Sequence, residues 1–242
     1  KVEGFKGVLD MKVGLLSRNF AATLPDGKKL RIESKRFCSM ARGEVGAIRY
    51  SITALNFSAK ATLSIFVDAD VVNKDSNYDE KFWEEIYKEA SEGKAIVTAQ
   101  TKKTFFHVTT GMRYVILSEG KKVNFDRINM EQREKFAGNI LQLDLQEGKE
   151  IVVYKYAAVL SSENHPKDQL VSHCTKVLDE AVEAGFDTLY EEHAKVWAHK
   201  WEECDITIEG DVAAQQGIRF NIFQLTQTYT GDDERLNIGP KG

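Results

Sequence analysis

The sequence predicts a mainly β chain, an antiparallel β-sandwich, followed by helices. Three observations carry this. Up to about residue 161 the chain is a series of runs that alternate apolar and polar side chains. Short turn clusters separate these runs. From Pro166 onward the apolar period changes from two to the helical one.

Alternation is plainest in Gly46–Ala54. Ile48, Tyr50, Ile52 and Ala54 share one face, and Arg49, Ser51 and Thr53 share the other. Further strands are predicted at Leu9–Thr23, Lys29–Cys38, Thr62–Asp68, Ala95–Thr101, Thr104–Leu117, Val123–Asn129, Asn139–Leu145 and Glu150–Leu160. Pro25-Asp26-Gly27 supplies a fixed φ, an Asx acceptor and a residue that tolerates positive φ, so the first two strands read as a hairpin. Glu147-Gly148-Lys149 plays the same part before the last strand. One helix is expected among the strands: Asn77 and Glu80 have capping-box spacing, Phe82, Ile86 and Ala90 fall on one face, and Gly93 is placed to end it.

Residues 162–203 read as a helical linker. Leu170, Cys174, Val177, Ala181 and Ala184 form one stripe, Gly185 breaks it, and Tyr190, Ala194, Trp197 and Trp201 form a second. Residues 204–242 begin with a predicted short strand, Asp205–Ile208. A helix then runs from the N-cap Asp211 to about Tyr229, with Ala214, Ile218, Ile222, Leu225 and Tyr229 on one side and Phe220 and Phe223 off it. Such an apolar girth is usual for a helix buried between neighbours, and no later helix follows, so the natural protein is expected to continue.

Charge and composition narrow the function. The net charge is −4, without the basic excess that a nucleic-acid surface needs. No apolar run approaches a membrane span and no signal core follows the N-terminus, so a cytoplasmic location with no membrane partner is expected. Cys38, Cys174 and Cys204 are odd in number and far apart, which reads as reduced thiols. His107, His165, His173, His193 and His199 lack metal-ligand spacing, and no metal is expected. Cys174 beside His173 is a sequence neighbour on a helix, where adjacent side chains do not face each other. Two carboxylate groupings could serve sugar cleavage: Asp68 with Asp70, and Asp232, Asp233 and Glu234. Turn chemistry explains the first equally well and a solvated corner the second. Trp83, Trp197 and Trp201 could stack on sugars, but the last two sit on an apolar helical stripe that reads as interdomain core.

Two segments resemble a known family. One is Leu9-Asp10-Met11-Lys12-Val13-Gly14-Leu15-Leu16-Ser17-Arg18, with Ser34–Ser39 and Tyr50–Asn56 downstream. The other is Gln215–Leu225 followed by Asp232-Asp233-Glu234-Arg235-Leu236-Asn237-Ile238-Gly239-Pro240-Lys241-Gly242. Both are similar to glycoside hydrolase family sixty-five, the maltose, kojibiose and trehalose phosphorylases and related hydrolases. The resemblance implies a galactose-mutarotase-like supersandwich over residues 1–161, lacking its first strands. It also implies a linker over 162–203 and, from 204, the start of a catalytic (α/α)6 barrel.

It further implies an inverting phosphorylase that converts a disaccharide and inorganic phosphate to β-glucose 1-phosphate, without metal or organic cofactor, as a homodimer. The family's Trp-Asp-Thr-Glu motif, catalytic glutamate and phosphate-binding residues would follow Gly242, so no catalytic residue is expected in this chain. The loop bearing Arg235, Asn237, Gly239 and Lys241 is expected near the active site of the parent. A family hydrolase and a stand-alone carbohydrate-binding sandwich are the alternatives.

Overall fold

The computed structural model describes residues 1–72, 81–125 and 127–235. Among these residues the strands are β1 (Val2–Asp10), β2 (Leu15–Thr23), β3 (Lys29–Cys38), β4 (Val45–Ala54), β5 (Ala59–Asp68), β6 (Trp83–Ser91), β7 (Lys94–Thr101), β8 (His107–Ser118), β9 (Lys121–Lys122), β10 (Asn129–Arg133), β11 (Phe136–Leu145) and β12 (Glu150–Ser161). A 3-10 turn at Lys167–Gln169 leads into helix α1 (Leu170–Cys204), and α2 (Val212–Thr228) follows.

The strands form two antiparallel sheets. A nine-stranded sheet has the order β1-β2-β3-β4-β12-β8-β7-β6, with β9 on β8, and a three-stranded sheet has the order β10-β11-β5. Alternation decides what lies between them. Ala95, Val97, Met112, Ile116, Ile151 and Val153 face the small sheet's Ile65, Val67, Leu141 and Leu143 in one core. On the opposite face of the large sheet Phe37, Ala47, Ile96, Tyr156, Ala158 and Leu160 meet Leu170, Cys174, Leu178, Ala181, Phe186 and Leu189 of α1 in a second core. The predicted linker is therefore a third layer laid along the large sheet. Asn139, fully buried, ties the layers of the sandwich: its Oδ1 accepts from Gly93 N and Tyr114 Oη, and its Nδ2 donates to Ser91 O.

Close approach of α1 to the sheet depends on Gly111. A methyl group there would lie 2.5 Å from Cys174 Sγ and 2.8 Å from Leu178 Cδ1. Gly111→Ala is expected to cost about 1–3 kcal/mol by overpacking. Adding Cys174→Ala should recover part of that loss, read as a non-additive double-mutant cycle in urea unfolding.

The structure corrects five expectations. Leu9–Thr23 is not one strand: β1 and β2 form a hairpin around a turn in which Gly14 has φ +60°. The expected helix ending at Gly93 is strand β6, paired with β7 across a bulge between Glu85 and Tyr87. Phe82, Ile86 and Ala90 are spaced by four, which is also a multiple of two. The intervening i+3 positions are Glu85 and Glu89, so the spacing never required a helix. Gly93, at φ +74°, closes the β6–β7 turn instead. Asn77 and Glu80 lie outside the described residues.

Of the predicted strand Val123–Asn129, only Asn129 enters a ladder in the described residues, as the first residue of β10 paired with Ile140. Val123, Phe125 and Ile128 pack on the sandwich core between β9 and β10. Asp205–Ile208 is not a strand, because the Gln215 side chain takes its backbone: Ile208 N donates to Oε1 (2.7 Å) and Nε2 donates to Ile206 O (2.8 Å). On α2, Phe223 is the buried residue, while Leu225 and Phe220 of the broad apolar girth are exposed.

The predicted break at Gly185 is present as a kink, with φ +78° and ψ 165° inside α1. Asp211 caps α2 through Ala214 N at 2.9 Å.

Candidate functional site: the corner between sandwich, connector helix and terminal segment

Strand β12 ends at Ser161, and residues 162–169 turn the chain onto α1. Hydrogen bonds hold this corner. Ser162 N donates to His107 O (2.9 Å), His107 N to Ser162 Oγ (3.0 Å), and both Asn164 N and His165 N to Ser161 O. His165 Nε2 meets Glu44 Oε1 at 2.5 Å, and its Nδ1 meets His173 Nδ1 at 3.2 Å. Arg42, before β4, forms a two-point pair with Glu192 of α1 at 2.8 and 2.9 Å. Between them opens a cavity of about 430 Å³ with Arg42, Glu44, Asn164, Val177 and Glu180 in its walls.

The terminal segment reaches the same corner. Arg235 donates from Nη1 to Glu163 O (3.1 Å) and from Nη2 to Asn164 Oδ1 (2.7 Å). Its Nε and Nη2 also bond Asp233, at 2.9 and 2.5 Å. The Arg235 guanidinium lowers the Asp233 carboxyl to about 2. Asn237, Gly239 and Lys241 lie outside the described residues.

A second set of contacts joins the turn after β1 to both helices. Trp201 Nε1 donates to Met11 O at 3.0 Å. His193 is 1% exposed; its Nδ1 accepts from Met40 N (3.0 Å) and its Nε2 faces Gly14 O (3.3 Å). That pattern requires a neutral ring with the proton on Nε2, because a second proton on Nδ1 would face a backbone N–H. Rings then stack in a column: Phe37 on His193 (4.8 Å), His193 edge-on to Trp197 (6.4 Å), and Trp197 on Phe223 of α2 (4.8 Å). Trp197 and Trp201 thus serve as core and anchor, as their apolar stripe predicts. The two segments that carry the family resemblance meet here, on Trp197.

Burial lowers the His193 pKa. The unfolded ring titrates near ~6.5, so protons favour the unfolded chain. The His193 contribution is complete above that value and is lost as pH falls through the lower folded value. Urea midpoints are expected to drop between pH 7.5 and 5, and more steeply than in His193→Gln.

The carboxylate groupings do not form an acid–base pair. Asp70 accepts from Lys81 (2.6 Å) and Lys135 (3.2 Å), and Asp68 Oδ1 accepts from Asp70 N (2.9 Å), which is turn and ion-pair chemistry. Asp233 is taken by Arg235, and Asp232 and Glu234 are exposed. Cys174 is fully buried with its thiol pushed up to about 12 by desolvation, so it is no nucleophile, and His173 turns to His165 instead. Among the described residues no group of three or more His, Cys, Asp or Glu is arranged to hold a metal ion. No helix among them is long and apolar enough to cross a membrane.

Sequence reading missed Gly14, Arg42, Glu44 and Asn164. Gly14 carried the only local signal, a glycine inside an apparent strand, which marks a turn, bulge or close approach.

Comparison with known proteins agrees with this architecture. Residues 1–200 match the family description "Glycosyl hydrolase family 65, N-terminal domain". The maltose phosphorylase of Bacillus subtilis is 35% identical over the whole chain, which covers 31% of that protein. The alpha,alpha-trehalose phosphorylase of Thermoanaerobacter brockii is 28% identical over the whole chain, covering 32% of its length. A solved structure assigned as a kojibiose phosphorylase from the human microbiome superposes with a TM-score of 0.87 and 25% identity, over all of this chain and 31% of that one. The chain thus spans about a third of the length of the curated relatives it matches.

Proposed function

The chain belongs to glycosyl hydrolase family 65, and from that premise we propose that it is the N-terminal part of an inverting disaccharide phosphorylase whose chemistry lies outside these residues. The observation that carries the reading is the end-to-end match to phosphorylases of maltose and trehalose over a third of their length. It is supported by the candidate carboxylates, which are held in turns and ion pairs.

The reaction transfers a glucosyl group. A phosphate oxygen attacks the anomeric carbon from the face opposite the leaving oxygen. The glycosidic C–O bond breaks, and a carboxylic acid gives its proton to the leaving sugar. Phosphate is already an anion at neutral pH, so positioning donors replace the base that an inverting hydrolase uses on water. The products are β-glucose 1-phosphate and the remaining sugar. We place the protein in the cytoplasm as a homodimer, acting on a disaccharide and phosphate without metal or organic cofactor. The role of this chain is to carry the catalytic domain on a rigid sandwich, through the ring column and the corner at Asn164.

A second reading is a hydrolase of the same family, which uses water in place of phosphate. One assay separates them. The full-length protein and this chain alone are each given maltose, kojibiose and trehalose, with and without phosphate, and glucose 1-phosphate and glucose are quantified. Phosphate-dependent glucose 1-phosphate from the full-length protein alone is expected. Glucose without phosphate selects the hydrolase, and turnover by this chain alone overturns the claim that its chemistry lies elsewhere.

A further inference from the structure

Arg235 belongs to the loop expected near the active site, and a free arginine there would be an obvious phosphate ligand. Its guanidinium is not free. Of its five N–H donors, four are directed at Asp233, the Glu163 carbonyl and Asn164 Oδ1. Asp233 also neutralises its charge. Little remains for a two-point grip on a phosphate. Nor does the network serve stability: Arg235 has a 57% exposed side chain, and exposed ion pairs contribute little. What the network fixes is direction. It fastens the residues just after α2 to a corner that is itself held by Ser161, His107 and Glu44. Lys200 of α1 holds the same stretch a second time, through Thr230 O at 2.9 Å.

We propose that Arg235 is a positioning residue: it touches neither sugar nor phosphate, and it acts through Glu163 O and Asn164 to fix how the chain leaves α2, so that the sandwich sets the geometry of the reaction. The clasp stands on the contacts above; its effect on turnover rests on the phosphorylase reading.

The test uses the full-length protein with Arg235→Lys, Asn164→Ala and the two combined. Displacing a reacting group by a fraction of an ångström lowers turnover steeply. Each single variant is expected to lower kcat about tenfold, with KM for phosphate and for maltose changed less than about twofold. The double variant should be no worse than either single one, because both break one network. A phosphate ligand would behave differently. A raised KM for phosphate in Arg235→Lys, or an unchanged kcat in Asn164→Ala, overturns the proposal. If the protein releases glucose without phosphate, the phosphorylase reading fails alone, and the same comparison is made on hydrolysis. A readout independent of turnover is cross-linking of Asn164→Cys with Arg235→Cys by a short bis-maleimide, after Cys38→Ser and Cys204→Ser. A cross-link between these positions is expected, and its absence removes the clasp whatever the reaction.

Discussion

Replacing Gly14 by alanine is expected to destabilise this chain by about 2–5 kcal/mol, the sum of a left-handed backbone penalty and overpacking. Two physical terms act together at this position. Gly14 has φ +60°, where a Cβ meets its own backbone. That Cβ would also lie 2.2 Å from Trp197 Nε1 and 2.8 Å from His193 Nε2. Neither ring can swing aside. Trp197 lies against Phe223, and His193 is held by Met40 N and stacked on Phe37. The clash must therefore move the turn, which also carries the Met11 carbonyl bonded by Trp201. Urea unfolding followed by tryptophan fluorescence measures the loss. Gly43→Ala is the control, because its new methyl group meets nothing within 4 Å and φ there is not positive; it should be neutral or slightly stabilising. Equal effects from the two substitutions would show that α1 does not dock on the turn at Gly14.

Gly14 also shows what the sequence could and could not yield. The strands β3, β4, β7, β11 and β12 lie close to their predicted positions, because each is a short run rich in apolar side chains bounded by turn residues, and β7 and β12 are buried on both faces. β1 and β2 merged into one predicted strand because a turn of Met11-Lys12-Val13-Gly14 holds no proline or asparagine, and its glycine sits among apolar neighbours. The segment of β6 reads as a helix from sequence because it lies at the edge of the large sheet. Edge strands carry charges on both faces, as Glu84, Glu85, Lys88 and Glu89 do, and their alternation fades. Local pattern reports burial, and burial is weakest at edges and turns.

The corner at Asn164 was illegible for a different reason. Arg42, Glu44, Asn164, Glu192 and Arg235 come from distant parts of the chain, and no spacing rule connects them. Exposed polar residues of these types are common on any surface, and only tertiary contact distinguishes these. The ring column was half legible. Trp197 and Trp201 mark an apolar stripe in the sequence, whereas the capture of His193 by Met40 N and Gly14 O required the fold. Phe223 illustrates the same limit: a seventeen-residue helix with apolar side chains most of the way round does not reveal which one docks, and the partner ring decides.

Trp197 is accordingly the residue whose truncation should matter most. It is 2% exposed and touches His193, Trp201 and Phe223, so it joins α1 to α2 as well as to the turn at Gly14. Trp197→Ala is expected to cost about 3–5 kcal/mol, as other large-to-small aromatic core changes do. Trp197→Phe should cost less than ~1.5 kcal/mol, since it keeps most of the stacking surface. The indole N–H gives a further reason for that asymmetry. It is buried against Gly14 with no hydrogen-bond partner among the described residues, so deleting it removes an unsatisfied donor and loses no bond. Trp201→Phe runs the other way: it forfeits a real bond to Met11 O and leaves that carbonyl unpaired, at about 1–2 kcal/mol. Chemical unfolding of the three variants therefore has an expected order, Trp197→Ala least stable, then Trp201→Phe, then Trp197→Phe. If Trp197→Phe fell as far as Trp197→Ala, the full breadth of the indole, which a phenyl ring does not fill, would be holding the helices to the turn.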